Sequence, residues 1–292
     1  MHPAVLSYWL AAPEEAWQCE AFAKQTNEII AGVKAGDWWG TITSEPGSGG
    51  DVMKTRAVAK PAGEPHQFLL TGDKHFGSGS GVLRFMVTTA RVAGEDSPDW
   101  FYLDMQDVPW DGSQGATLLA EWDGQGMTAT QSHSLRFENF PATRIAWEGH
   151  LADIATTSGP LIGCMFTAVI VGVIEAAMTF AREQFSPENA AAFEAVEWQR
   201  AQMEAWLIAQ AYEGMLRSVE TTGDPRREVL QGKTAIAELS ESVMTRLPRI
   251  LGGGTFHRRS PIGHWTQDVK ALGFLRPPWP LAFQTLASLE NA

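Results

Sequence analysis

Residues 41–51 read TITSEPGSGGD. The β-branched opening Thr41-Ile42-Thr43 suits a strand, and the Pro-Gly-Ser-Gly-Gly run after it cannot continue one. Glycines in such a turn let backbone N–H groups approach a ligand closely, and Thr43 and Ser44 add hydroxyls. No Gly-Lys-Ser/Thr closes the stretch as in a P-loop, and no βαβ unit surrounds it as in a dinucleotide fingerprint. A second Gly/Ser cluster, DKHFGSGSG at 73–81, again ends a strand and holds Phe76 and Ser78. Either cluster alone reads as a tight turn. Two hydroxyl-rich turns with an aromatic ring beside them suit a planar heterocycle with hydrogen-bonding edges.

Outward from these turns, residues 38–146 keep a strand-like rhythm. The runs WWGTITS, KTRAVAK, HQFLLTG, LRFMVTTARVA, DWFYLDM, ATLLAEW and SLRFENF are separated by Gly, Pro, Asp and Ser. Short β-prone runs with no helix between them predict an antiparallel β-barrel or sandwich. Residues 1–37 are helical, with Trp17, Phe22, Ile29, Ile30 and Val33 on one apolar stripe and Gly36 as a stop. Residues 147–292 return to helix. Phe193, Val196, Met203, Leu207, Ala211 and Met215 form one stripe, and Leu230, Ile236, Leu239, Val243 and Leu247 another. Asp224-Pro225 reads as an N-cap followed by proline at the first helical position. The expected class is α+β: a partial N-terminal helical segment, a central β domain and a C-terminal helical bundle.

The chain has 292 residues and a formal net charge of -12. That balance opposes binding to nucleic acid and to anionic membrane surfaces, and no basic run offers a phosphate-tracking stripe. The twelve Trp fit core and interface positions. Cys19 and Cys164 lack metal-ligand spacing, and no metal is expected. The apolar stretch 161–181 is long enough for a bilayer, but Glu175 interrupts it and it lacks basic flanks, so a helix buried at a subunit interface is expected. The first thirteen residues do not read as a signal peptide, and the expected setting is cytoplasmic.

TITSEPGSGGD resembles the signature of acyl-CoA dehydrogenases, in which Thr-Glu-Pro, a Gly-rich turn and an Asp follow a strand. The resemblance continues in order through LTGDKHFGSGSG, EWDGQGMTATQSHSLRFENFPATRI and RILGGGTFHRRSPIGHWTQDVKAL, nearly the whole chain. It implies FAD rather than FMN as cofactor, a small-molecule substrate such as an acyl-CoA, and assembly as a homotetramer or dimer. By position, Thr43 and Ser44 would meet the flavin ring edge, and Gly49 and Gly50 would line the turn near flavin and substrate. Phe76 takes the place of the family's Trp beside the isoalloxazine, and Ser78 that of the Thr near its reactive nitrogen. Gln199 matches a Gln that contacts the cofactor, and Gly252 and Gly253 match backbone near the adenosine half.

The sequence also departs from the pattern. The family's pyrophosphate-contacting Arg is not found in REQFSPEN, and Arg249 is the expected replacement for it. Arg276 stands where most members place the catalytic Glu, and an arginine cannot act as a base at neutral pH. His257 and His264 are the remaining catalytic candidates, in a basic cluster that reads equally as a solvated loop. The resemblance therefore implies a flavin-dependent oxidoreductase. Two alternatives stand beside it: a flavin monooxygenase, to which the Ser132-His133 segment is similar, and a non-catalytic subunit pairing with a full-length homologue.

Overall fold

The computed structural model describes residues 1–275 and 277–290. Those residues form two compact units, 1–123 with 128–162, and 124–127 with 163–290. The first unit joins what the sequence divides at residue 37, and the second begins inside a helix rather than at residue 147.

The first unit opens with α1 (His2–Leu10), the single turn α2 (Glu14–Trp17) and α3 (Glu20–Ala35). Gly36 ends α3 in the left-handed region at φ 108°, as the sequence predicts. Trp17 falls on α2, while Phe22 and Ile29 of α3 are buried. These helices are not a separate domain. Val5, Trp9 and Phe22 share one core with Trp39, Val87, Trp100 and Ile145.

Seven strands follow among the described residues: β1 (Trp39–Thr41), β2 (Val58–Pro61), β3 (Gln67–Gly77), β4 (Phe85–Val92), β5 (Pro98–Asp104), β6 (Ala116–Ala120) and β7 (His133–Arg144). The ladder runs β4–β2–β3–β7–β5 and returns to β4, so five strands close on themselves. Closure leaves those strands no free edge along their paired lengths. The barrel is mostly antiparallel, but β1 and β2 both pair parallel to β4, a departure from the all-antiparallel expectation. Its interior is filled by Leu70, Met86, Phe101, Leu103, Leu135 and Phe137.

The helix α4 (Leu151–Gln184) passes from the first unit into the second. It is long and apolar enough to cross a membrane. Cys164, Ile170, Ile174, Ala177 and Ala181 instead join the core of the helical unit, while Val169 is exposed. Within the chain the helix is thus buried on part of its surface. Burial pushes the Cys164 thiol up to about 11.

The remaining helices are α5 (Ala192–Thr221), α6 (Arg226–Leu251), α7 (Ile262–Lys270) and α8 (Trp279–Glu290). Pro225, not Asp224, is the N-cap of α6, and Asp224 binds Arg226 from just outside. The apolar face expected on α6 is inside, with Leu230, Ile236, Val243 and Leu247 buried. On α5 the outcome differs. Met215 is buried, but Phe193, Val196, Met203 and Leu207 are exposed. Charge pairing explains the rotation: Glu197 and Glu204, both buried on α5, are clamped by Arg246 of α6 at 2.8–3.0 Å. A doubly charged pairing of this kind fixes which helical face turns inward.

Candidate functional site

Beyond β1 the chain stays extended and bridges the end of β3. Thr41 pairs with Ser78 and Ser44 with His75, and the His75 N–H donates to the Ser44 carbonyl at 2.8 Å. Those two bridges bring Thr43 and Ser44 to the same edge of the barrel as Phe76 and Ser78, more than thirty residues further along the chain. The ladder between β3 and β7 shifts register between Lys74 and Gly77. Phe76 sits in that bulge at φ 56°, a conformation uncommon for a bulky residue. The consequence is an aromatic ring held outward, 57 % exposed, with Trp122 edge-on at 6.0 Å. Gly77 beside it has no room for a side chain, since a Cβ would lie 2.7 Å from Ile42 and Ser80.

The Ser78 hydroxyl is 2.9 Å from that of Ser132, which in turn is 2.6 Å from that of Thr130. The Gly79 N–H donates to the Thr130 carbonyl at 2.8 Å and ties the two segments together. His133, next along β7, accepts from the Trp122 N–H at 2.8 Å and meets the Trp110 ring edge-on. This hydroxyl chain was not legible in the sequence, because fifty residues separate its ends. The only signal was the Ser132-His133 pair itself.

Beneath this edge lies a buried ion pair. Lys74 is fully buried and donates to Glu45 at 2.6 Å, to Thr55 and to the Thr89 carbonyl. Glu45 also receives Thr55 and the backbone N–H groups of Arg56 and Ala57. Burial pushes the Glu45 carboxyl up, but Lys74 and these hydrogen bonds outweigh it and hold it below its ordinary value. Glu45 thus anchors the start of the Gly-rich turn to β3. In the turn itself, Gly49 and Gly50 follow each other in the left-handed region at φ 63° and 83°. The Gly50 N–H is engaged by the Ser48 hydroxyl at 3.3 Å.

The second unit carries the other candidates. Gln199 is exposed on α5. Arg249 is half-exposed and pairs with Glu197 at 3.3 Å, so its charge is partly engaged rather than held free for a phosphate. Gly252 ends α6 at φ 78°, and Gly253 begins a short turn after it, both exposed. His257 and His264 are both exposed, and His257 accepts from the Arg259 N–H at 3.1 Å. Neither histidine is buried within the chain: His257 follows the short turn after α6, and His264 lies in the first turn of α7. His257 and Arg259 border a cleft of about 300 Å³ with Phe180, Gln184, Leu251 and Thr255. Arg276 lies outside the described residues. No group of three metal-ligating side chains occurs among the described residues.

Of the four residues at this barrel edge, Phe76 is exposed and Ser44 and Ser78 are half-buried beside it, while Thr43 is buried. An exposed aromatic ring on the same barrel edge as the Ser44 and Ser78 hydroxyls is the chemistry a planar ring with polar edges requires.

No family model matches the chain. A search of curated proteins finds YdbM of Bacillus subtilis (strain 168), whose name marks it as a candidate acyl-CoA dehydrogenase. It is 25% identical over 258 residues, 81% of this chain and 62% of YdbM. The chain therefore spans less than two thirds of that relative's length. Among solved structures, glutaryl-coenzyme A dehydrogenase in complex with glutaryl-CoA superposes with a TM-score of 0.80 at 18% identity. The match covers 97% of this chain and 72% of that one. KijD3 in complex with FMN and a dTDP-linked amino sugar superposes at 0.75 and 21%, over 94% of this chain and 71% of that one. The structural likenesses establish the fold. The chain has the acyl-CoA dehydrogenase fold, and in sequence it is similar to a curated protein named as a candidate member of that family.

Proposed function

We propose that the chain is an FAD-dependent oxidoreductase acting on an acyl thioester or a related small substrate in a cytoplasmic setting. The observation that carries this reading is the meeting of Thr43, Ser44, Phe76 and Ser78 at one barrel edge. A bound flavin would supply two-electron acceptance there. Thr43 and Ser44 would hold the polar edge of the ring, Phe76 would cover its face, and Ser78 would present its hydroxyl to the ring. Arg276 in the position of the usual base argues against simple α-proton removal at that position. The hydroxyl chain from Ser78 through Ser132 to Thr130 favours a second reading, a flavin monooxygenase using reduced flavin and O2. It gives the ring edge a proton path of small neutral groups.

A visible absorption spectrum of the purified protein, before and after adding FAD, tests both. Flavin bands are expected. Phe76→Ala is expected to weaken FAD binding about tenfold to a hundredfold by fluorescence titration, as a stacking aromatic is worth ~1–3 kcal/mol. A colourless protein that takes up neither FAD nor FMN would leave the non-catalytic subunit as the surviving interpretation. Reduction of the bound flavin by an acyl-CoA selects dehydrogenation, and O2 consumption driven by reduced flavin selects monooxygenation.

Exposed Phe193, Val196, Met203, Trp206 and Leu207 give α5 an apolar outer stripe. Such a stripe suits assembly with further copies of the chain. Trp206→Glu is expected to lower the mass measured by light scattering to that of a smaller assembly; an unchanged mass would remove α5 from the interface.

A further inference from the structure

The first unit holds an apolar cleft of about 210 Å³ that the flavin reading does not use. It is the gap between α1 and the second half of α3. Leu6, Trp9 and Leu10 line one side, and Ile29, Ile30 and Val33 the other. None of the residues at the barrel edge borders it. Its polar wall groups are already engaged. The Thr26 hydroxyl, fully buried, donates to the Phe22 carbonyl at 2.8 Å, and the Trp9 indole N–H donates to Gln25 at 3.4 Å. With no free hydrogen-bonding group, such a space is a poor host for water.

Size narrows the occupant. An apolar cavity of ~150 Å³ stays dry and takes up benzene, and drug-sized ligands occupy ~300–1,000 Å³. This cleft falls between the two. Its lining runs from Thr26 to Lys34 along α3, about 12 Å at the helical rise. A docking helix is itself ~10–12 Å across and does not enter so small a space. One short alkyl chain does.

Charge gives that chain a head. Lys34 lines the cleft from the last turn of α3, is exposed, and forms no ion pair among the described residues. Its long stem lets the ammonium stand clear of the apolar walls. Asp37, the nearest carboxylate after it in the chain, is taken by Arg84 at 2.9 Å. No acidic side chain lines the cleft. The net charge of -12 opposes docking on an anionic lipid surface, which favours a free molecule over a membrane.

We propose that the cleft between α1 and α3 binds the tail of a free medium-chain aliphatic carboxylate, with the carboxylate at the mouth beside Lys34. The proposal does not rest on the flavin reading, and a chain that binds no flavin would still bind this ligand.

Isothermal titration of the full chain with octanoate tests it. One site is expected, with Kd tightening about threefold to fourfold per methylene from hexanoate to octanoate, as expected for each CH2 buried. Val33→Trp, which fills the cleft, is expected to weaken octanoate at least tenfold. Lys34→Gln is expected to weaken octanoate about twofold to fivefold, the size of an exposed ion pair, and to leave octan-1-ol unchanged. Phe76→Ala is expected to leave octanoate binding as it is, which separates this cleft from the barrel edge. No binding at millimolar octanoate would overturn the proposal, as would binding that survives Val33→Trp or is lost in Phe76→Ala. An equal loss of octan-1-ol in Lys34→Gln would overturn the placing of the carboxylate. A fall in mass by light scattering in Val33→Trp would also overturn it, because the cleft would then be covered by a second copy of the chain. If Val33→Trp fails to fold, the chain-length series and the Lys34→Gln contrast decide: a flat series, or no contrast between acid and alcohol, overturns the proposal.

Discussion

Lys74→Met is expected to destabilise the first unit by about 3–5 kcal/mol in urea unfolding, because it strands a buried carboxylate. Lys74 is fully buried and Glu45 nearly so, and the two meet at 2.6 Å. Removing the cation leaves Glu45 with hydroxyl and amide donors but no opposite charge. The double variant Lys74→Met with Glu45→Leu is expected to recover much of the loss, since no buried charge is then left unpaired. A double variant as unstable as the single one would show that Glu45 acts mainly through the amides of Arg56 and Ala57. The pH dependence has a definite sign. Glu45 has a folded-state pKa below its unfolded value, so its contribution is complete above that unfolded value, about 4.3. It is lost as pH falls through the folded value. Acid unfolding of Glu45→Gln is expected to be correspondingly flatter below about pH 4.

Arg144→Met is the second large effect, expected at about 3–5 kcal/mol for the same physical reason. Arg144, at the end of β7, is 2 % exposed and grips Asp99 of β5 at 2.7 Å and Glu95 at 2.5 Å. Asp99 is 1 % exposed. Burial already pushes its carboxyl up, more than the Gly149 N–H and Arg144 pull it down. Without Arg144 that upward push is opposed only by backbone donors. A carboxyl whose folded pKa exceeds its unfolded one binds more protons when folded, so its contribution grows as pH falls. The variant is therefore expected to lose less stability at pH 5 than at pH 8. Equal losses at both values would mean that Asp99 remains fully charged in the variant, held by Trp100 and Gly149 alone.

These two ion pairs mark where the sequence stops speaking. Lys74 and Glu45 both belong to quoted motifs, yet nothing in their spacing of twenty-nine residues says that they meet. Burying a lysine completely runs against its usual place on the surface, and only the ladder of β3 with its neighbours puts it inside. The same holds for α5. Its apolar stripe was plain in the sequence, and a stripe of that spacing ordinarily faces the core. Glu197 and Glu204 turn the opposite face inward because Arg246 waits on α6 to receive them.

Local chemistry did determine a good deal. β-branched and aromatic runs punctuated by Gly and Pro fixed seven strands to within a few residues. The Gly36 stop, the Asp224-Pro225 boundary and the apolar face of α6 were equally local, since each depends on backbone preference or a single helical period. The order of the Gly/Ser turns carried the resemblance whose fold the solved structures share. Tertiary structure alone decided that the barrel closes through parallel β2–β4 pairing, and that the N-terminal helices share its core. It alone joined Ser78 to Ser132. Strand propensity is a property of neighbours in the chain, whereas pairing partners and buried charge pairs depend on which distant segments are brought into contact.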